Sequence, residues 1–251
     1  MRDLLAVWRN TRLVVQVAVT AALYAAVLIP FKVAVTIIPG VTEVRPANAI
    51  PIVLALLFGP AAAWGSAFGN LIGDFFGTLG PGSIFGFVGN FLYAYVPYRV
   101  WGIHRLASKD GASPLARAGI VEYLFVAGLA SMVCAIVIAW GVDLLGLVPF
   151  KVLSLAITLN NFLVSAVLGP PLLAALYPRV RKWGLLYWQI LDRQPMRRAP
   201  LTTLGTLICW VGVVAALVTG LTVGGQGAHE LATIQAVAVP LGVIVVGVLL
   251  I

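Results

Sequence analysis

The sequence predicts an all-α integral membrane protein with eight membrane-spanning helices, and three observations lead to this fold class. First, 61% of the 251 residues are hydrophobic and only 10% are charged, whereas a soluble domain carries about 25% charged residues. Second, apolar runs recur along the chain, many at the roughly 20-residue length that crosses about 30 Å of hydrocarbon. Third, basic residues gather in alternate connections between those runs. Cys134 and Cys209 lie within apolar runs, so we expect buried thiols and no disulfide or metal site.

The first four predicted spans differ in length. We expect them at 13–38, 48–58, 61–76 and 83–102. The second ends at Gly59-Pro60, and the second and third are each marginal in length for a crossing, which predicts a buried or tilted pair inside the bundle. The stretch 77–82, GTLGPG, must form a turn because its glycines and proline interrupt a helix.

The last four predicted spans are all long enough to cross a bilayer. We expect them at 119–145, 150–176, 201–223 and 231–251. A basic segment that contains Trp183, Tyr187 and Trp188 follows the sixth span, and it is predicted to lie as an amphipathic helix along the inner membrane surface. The chain therefore divides into a membrane core, an interfacial segment and two further transmembrane helices, over 1–178, 179–200 and 201–251.

The distribution of basic residues predicts the orientation in the membrane. With the N-terminus in the cytoplasm, most of the 16 lysines and arginines fall on the cytoplasmic side of an eight-span protein. We therefore expect a multi-pass protein of a prokaryotic plasma membrane with both termini cytoplasmic. The net charge of +8 is then explained by basic residues that face anionic lipid, and no nucleic-acid partner is expected.

Polar residues from distant parts of the chain share one depth in the outer half of the predicted bundle. Polar groups are costly inside a bilayer, so they usually face a cavity or the interior of the bundle. Their convergence predicts a polar pocket that opens to the outside. The set comprises Lys32, Glu43, Arg45, Asn48, Asn70, Asp74, Asn90, Tyr93, Trp140, Asp143, Lys151, Thr158, Asn160 and Asn161.

Several of these residues have a purely structural alternative. Glu43 and Arg45, in the first outer loop, could equally form an ion pair in contact with water. Asn70 and Asp74 are equally suited to hydrogen bonds between helices, and Tyr93 and Trp140 to an aromatic belt at the membrane interface. The sequence is compatible with both interpretations of each residue.

No catalytic constellation is present in the sequence. It contains neither HExxH nor GxSxG, no phosphate-binding P-loop and no pair of carboxylates suited to acid–base work in one helix. His104 and His229 have no partner at metal-binding spacing. We therefore predict no enzyme activity, no cofactor and no metal, and ATP-driven transport would require an ATPase on another chain.

Two stripes of small residues allow helices to approach closely. Packing within the bundle and docking of a partner membrane protein are both open interpretations. The stripes consist of Gly65, Gly69, Gly73 and Gly77 in the third span, and of Ala21, Ala22, Ala25 and Ala26 in the first.

Residues 13–176 resemble the substrate-binding (S) components of energy-coupling-factor (ECF) vitamin transporters. The resemblance is carried by a six-span bundle with a cytoplasmic N-terminus, by AALYAA in the first span, and by EVRPANAIPIVLALLFGPAAAWGSAFGNLIGDFF. The last stretch is similar to the branch that contains the queuosine-precursor and biotin components. The resemblance implies a six-helix S-component-like bundle, to which 201–251 adds two extra helices.

The resemblance also implies a function and a set of site residues. The protein would capture a vitamin or a queuosine precursor outside the cell, with the first loop as a lid. It would deliver the molecule inward by toppling in the membrane with a transmembrane coupling subunit and two cytoplasmic ATPases. The alanine pairs of the first span would dock on the coupling subunit. The implied substrate-binding residues are Glu43, Arg45, Asn48, Asp74, Asn90, Tyr93, Trp140 and Asn160.

Each implied role has a chemical reason. Arg45 suits a carboxylate or a ring carbonyl, and Asp74 or Glu43 suits neutralisation of Arg45 or of a cationic ligand. Tyr93 and Trp140 suit stacking on a planar ring. The alternatives are a solitary vitamin transporter, a structural or assembly subunit without a ligand, and an intramembrane enzyme.

Overall fold

The computed structural model describes residues 2–34, 36–38, 42–43, 45–101, 117–191, 200–223 and 231–251, and nearly all of them are helical. The helices are α1 (Arg2–Ala6), α2 (Thr11–Ala34), α3 (Ala49–Phe58), α4 (Pro60–Asp74), α5 (Ser83–Val100), α6 (Arg117–Leu144), α7 (Phe150–Lys182), α8 (Tyr187–Ile190), α9 (Pro200–Val223) and α10 (Leu231–Leu250). Two 3₁₀ turns, Val7–Arg9 and Pro46–Asn48, precede α2 and α3. Strands β1 (Thr36–Ile38) and β2 (Thr42–Glu43) pair antiparallel between α2 and α3.

Five of the described helices are long and apolar enough to cross a membrane, namely α2, α6, α7, α9 and α10. The chain is thus a multi-pass all-α membrane protein, as the composition predicts. The second and third predicted spans form α3, with 10 residues, and α4, with 15. Nearly all residues of α3 and most of α4 are buried, so the expected short buried pair is confirmed. The turn between them bends sharply at Gly59, whose φ of +59° suits a residue without a side chain.

The six helices α2 to α7 close into a ring. α2 packs on α4, α4 on α5, α5 on α6 and α6 on α7, and the short α3 fills the space beside α7, α5, α4 and α2. At the ends of the chain, Asp3 accepts a hydrogen bond from the Tyr98 hydroxyl at 3.2 Å, and Arg99 lies 4.0 Å from the same carboxylate. The Nε of Arg99 also donates to the carbonyl of Ile251. Both termini therefore lie at one end of the bundle.

The glycine stripe of α4 packs against α2. A Cβ on Gly65 would lie 2.7 Å from the carbonyl oxygen of Val17, and one on Gly73 would lie 2.5 Å from Cδ2 of Leu28. Such distances leave no room for a side chain, so the two backbones approach closely. Gly77 lies beyond the end of α4, where a Cβ would meet nothing within 4 Å. The stripe is therefore used for packing within the chain.

The last two helices form an antiparallel pair, which we call the C-terminal hairpin (α9 and α10). Small residues again bring the helices together, since a Cβ on Gly205 would lie 2.8 Å from the carbonyl oxygen of Gly247. The hairpin packs mainly on α6, with smaller contacts to α5 and α7. Because α2 lies across the ring from α6, the hairpin and α2 occupy different sides of the bundle.

Candidate functional site

A cavity of about 290 Å³ lies in the half of the bundle away from the termini. Residues from the first half of α5 line this cavity. The other end of α5 carries Arg99, which contacts residues near both chain ends. Its polar wall contains Arg45, Asn70, Asp74, Thr78, Ser83, Asn90 and Asn161. Its apolar wall contains Cys134, Ile138, Val142, Leu147, Leu153 and Ile157.

A chain of hydrogen bonds joins a cation to an anion along the polar wall. Nη1 of Arg45 donates to Oδ1 of Asn70 at 3.0 Å, and Nδ2 of Asn70 donates to Oδ2 of Asp74 at 3.3 Å. The hydroxyl of Thr78 donates to the other carboxylate oxygen of Asp74 at 3.0 Å. Because the amide of Asn70 bridges the two charges, the wall offers a guanidinium donor and a carboxylate acceptor side by side. Both predicted residues, Arg45 and Asp74, are therefore on the cavity wall.

A second network lies behind this wall and orients its amides. The hydroxyl of Tyr24, which is fully buried, is 2.9 Å from Oδ1 of Asn90 and 3.1 Å from Oδ1 of Asn48. Asn48 in turn donates from Nδ2 to Oδ1 of Asn161 at 2.6 Å. Asn90 donates from Nδ2 to the carbonyl of Gly86 at 2.9 Å. The network fixes which oxygen and nitrogen atoms the amides of Asn90 and Asn161 present to the cavity.

Two other predicted residues support the site from outside the cavity wall. The hydroxyl of Tyr93 lies 3.1 Å from the backbone carbonyl of Asn48 and 3.1 Å from that of Asn161. It thereby joins α5 to the start of α3 and to α7, and its ring is completely buried. Oδ1 of Asn160 accepts the backbone N–H of Arg45 at 3.4 Å. Of the two adjacent amides in α7, Asn161 lines the cavity, and Asn160, which the resemblance implied as a binding residue, does not.

Trp140 lies beside the site and contacts the hairpin. Its indole Nε1 donates to the backbone carbonyl of Ile234 at 3.1 Å, and its ring meets Phe85 edge-on with 6.4 Å between centroids. Trp140 is not among the residues that line the cavity. The side chain of Glu43 lies outside the described residues, so its predicted contact stays a prediction.

The loop between α4 and α5, which the sequence predicts only as a turn, forms a part of the cavity wall. Residues 77–83 all line the cavity. Gly77 has a φ of +125°, a conformation that glycine adopts without strain, and a Cβ on Gly80 would meet nothing within 4 Å. The signal in the sequence was the position of GTLGPG between two spans that both carry pocket residues. The role of Tyr24 left no such signal, because it depends on contacts with helices far along the chain.

The arrangement suits a small molecule with one polar edge and one apolar face. The volume is near the lower end of ligand pockets, which span roughly 300–1,000 Å³. The polar wall supplies donors and acceptors at fixed positions, and the apolar wall supplies contacts for a flat ring. Within the described ranges, no three His, Cys, Asp or Glu side chains are grouped to hold a metal ion.

The two alanine pairs of α2 have different surroundings. Ala21 and Ala25 are buried, and a Cβ on Gly69 of α4 would lie 2.9 Å from the carbonyl oxygen of Ala21. Ala22 and Ala26 are exposed, about 100° around the helix from the buried pair. The first pair therefore packs within the chain, and the second leaves a smooth surface on the outside of the bundle.

Comparison with known families adds the identity of the core. No curated protein and no solved structure matches the chain. The family model described as QueT transporter matches residues 14–178, which run from α2 almost to the end of α7 and exclude the C-terminal hairpin. That family comprises S components of ECF transporters for queuosine precursors. Since the match covers well over half of the sequence, the chain belongs to the QueT transporter family.

Proposed function

We propose that this protein is the membrane-embedded substrate-binding component of an ECF-type importer and that it binds a queuosine precursor in the cavity. The single observation that carries the proposal is the hydrogen-bonded chain Arg45–Asn70–Asp74 on the cavity wall of a member of this family. It brings a guanidinium and a carboxylate together in a pocket whose other wall is apolar.

The chemistry of queuosine precursors matches these two walls. They are 7-substituted 7-deazaguanines, so they have a flat bicyclic ring with a carbonyl, ring N–H groups and an exocyclic amine. Arg45 would donate to the ring carbonyl, and Asp74 would accept from the N–H groups or from a cationic aminomethyl substituent. Asn90 and Asn161 would complete the polar edge, and the apolar wall would cover the ring face. Asn48, Tyr93 and Asn160 would act indirectly, by holding these binding groups in position.

The exposed face of α2 supports the proposed partners. Ala22 and Ala26 would dock on a transmembrane coupling subunit, because small residues permit close helix approach in a membrane. The C-terminal hairpin packs on α6, so it leaves this face uncovered. Two ATPases on other chains would supply the energy. The basic residues near the termini would lie in the cytoplasm of a prokaryotic cell, as the charge-asymmetry rule requires.

Binding to the purified full-length protein tests the proposal. Isothermal titration in detergent with 7-aminomethyl-7-deazaguanine should give saturable 1:1 binding, and guanine at the same concentrations should bind at least tenfold more weakly. Native mass spectrometry of the same preparation should detect a co-purified base. If neither a 7-deazaguanine nor any of a panel of B-type vitamins binds, the protein is a structural or assembly subunit and the proposal fails.

A further inference from the structure

The apolar wall of the cavity is built at one corner of the bundle, where α6 ends and α7 begins. Ile138 and Val142 come from the last turns of α6, and Leu153 and Ile157 from the first turns of α7. The outer surface of this corner is exposed at Leu144 and Leu145, which do not line the cavity. The position of the apolar wall therefore depends on whatever packs against the corner from outside the six-helix ring.

The C-terminal hairpin is attached to α6 at this corner. Trp140 lies between the two wall residues of α6, and its indole N–H donates to the carbonyl of Ile234 in α10 at 3.1 Å. On its other side the Trp140 ring meets Phe85 of α5. Phe85 packs so closely on Gly141 that a Cβ at that position would overlap the phenyl ring. The indole is thus held between the hairpin and the helix that carries the polar residue Asn90.

The hairpin is also attached to α7 at the same corner. Phe150, the first residue of α7, is buried against α9, where a Cβ on Gly220 would overlap its ring. The same Cβ would lie 3.1 Å from Cγ2 of Val237 in α10, so both hairpin helices enclose Phe150. Leu153 of the cavity wall is one turn further along α7. Both helices of the apolar wall are therefore in contact with the hairpin.

Halfway towards the termini, the contact between the hairpin and α6 is of a different kind. Trp210 of α9 packs on Phe125 with 4.7 Å between ring centroids. Its Nε1 is buried and has no hydrogen-bond partner among the described residues. Trp210 thus offers a second tryptophan at the contact between α6 and the hairpin, without a directed bond. Its partner Phe125 lies about 15 residues, or roughly 22 Å, along α6 from Trp140.

We propose that the C-terminal hairpin, which lies outside the part of the chain that matches the family, holds the apolar wall of the cavity in place, with Trp140 as the positioning residue. This rests on the proposed function, because the cavity is taken to be the substrate site. The hydrogen bond to Ile234 sets the rotation of the last turns of α6, and this rotation sets how far Ile138 and Val142 reach into the cavity. Without it, the wall moves outwards and the contacts with a flat ring are lost.

The matched variants Trp140→Phe and Trp210→Phe test this proposal. Both keep an aromatic ring and remove an indole N–H, but only Trp140→Phe removes a hydrogen bond. In titrations of the full-length protein with 7-aminomethyl-7-deazaguanine, Trp140→Phe should weaken Kd roughly two- to tenfold, the scale of one net hydrogen bond. Trp210→Phe should bind like the wild type. Equal affinities of the two variants would overturn the proposal.

The two native cysteines give a readout that needs no ligand. Cys134 lines the cavity, whereas Cys209 is buried inside the hairpin against Gly247. Maleimide labelling, resolved by peptide mass spectrometry, should be several-fold faster at Cys134 in Trp140→Phe than in Trp210→Phe, with Cys209 equally slow in both. If wild-type protein bound no precursor, the proposed function would fail while this labelling still decided the role of the hairpin.

A folding defect is recognised by fast labelling of both cysteines. In that event Phe150→Leu replaces Trp140→Phe, because it loosens the same corner through α7 and leaves the indole bond intact. Selective exposure of Cys134 in Phe150→Leu supports the proposal, and labelling at the wild-type rate rejects it.

Discussion

The two walls of the cavity are held in place by different forces. The polar wall is positioned by directed hydrogen bonds between residues far apart in the chain, such as Arg45 with Asn70 and Tyr24 with Asn90. The apolar wall consists of aliphatic side chains whose positions depend on packing at the corner of α6 and α7. Hydrogen bonds tolerate little change in distance, whereas aliphatic contacts are individually weak and adaptable. We therefore expect substitutions in the polar wall to have large and abrupt effects, and those in the apolar wall to have small and graded ones.

The largest effect is expected for Arg45→Ala. The variant removes the guanidinium that binds Asn70 and leaves the carboxylate of Asp74 without its neighbouring cation. Charge-assisted hydrogen bonds contribute about 1.5–3 kcal/mol each, so Kd for a 7-deazaguanine should rise by about 100-fold or more. Titration calorimetry measures this. Lys151→Ala is the control, because Lys151 is an exposed cation at the start of α7 that does not line the cavity. Similar losses in both variants would mean that overall charge, and not the polar wall, attracts the ligand.

The second-largest effect is expected on stability, for a substitution where α4, which carries Asn70 and Asp74, packs on α2. Gly65→Ala places a Cβ 2.7 Å from the carbonyl oxygen of Val17, so α2 and α4 must separate. Overpacking of this kind costs about 1–3 kcal/mol, which should appear as a clearly lower Tm in a thermal unfolding assay in detergent.

Gly242→Ala is the control for this stability effect. It is the same substitution within a helix, and a Cβ on Gly242 meets nothing within 4 Å. Its Tm should equal or slightly exceed that of the wild type, because alanine favours the helix more than glycine does. An unchanged Tm for Gly65→Ala would show that the contact between α2 and α4 adapts and is not rigid.

Tyr24→Phe should weaken binding about tenfold. It removes the hydroxyl that lies between the amide oxygens of Asn48 and Asn90, and a buried acceptor without a partner costs about 1–3 kcal/mol. The amides are then free to rotate and present the wrong atoms to the ligand. Tyr123→Phe is the matched control, because Tyr123 is also fully buried and donates to a carbonyl, that of Ser165, instead of to the side-chain amides of Asn48 and Asn90. Unaltered affinity in Tyr24→Phe, measured by titration, would contradict a role of the second network in orienting the amides.

The difference between the walls also explains how much the sequence could predict. Asp74 and Asn90 were identifiable because a polar residue in an apolar run has few reasons to be there. Arg45 was identifiable because the first outer loop lies at the same depth as these residues. The resemblance implied Asn160, whereas Asn161 lines the cavity, because adjacent residues lie about 100° apart on a helix and the sequence does not show which of them faces inward. The apolar wall could not be predicted, because Ile138 and Leu153 resemble the many aliphatic residues that face lipid.

The other features that the sequence could not predict depend on contacts between distant segments of the chain. The bond from Trp140 goes to a backbone carbonyl, at Ile234, and any residue type in α10 supplies such a group. The division of the α2 alanines into a buried pair and an exposed pair depends on which face α4 covers. The short length of α3 and α4 was visible in the sequence, and their burial followed from it. Length and polarity are local properties of a sequence, whereas the partner of a side chain is not.

The smallest effect is expected in the apolar wall, for Leu153→Val. The variant removes one methylene group from a side chain that lines the cavity, which reduces contact with the ligand by about 0.8 kcal/mol at most and should weaken Kd by about two- to threefold. Leu155→Val makes the same change two residues along α7, on an exposed side chain, so it controls for the lower helix propensity of valine. A loss above about tenfold in Leu153→Val alone would show that the apolar wall is as rigid as the polar wall. The walls would then differ in chemistry but not in tolerance.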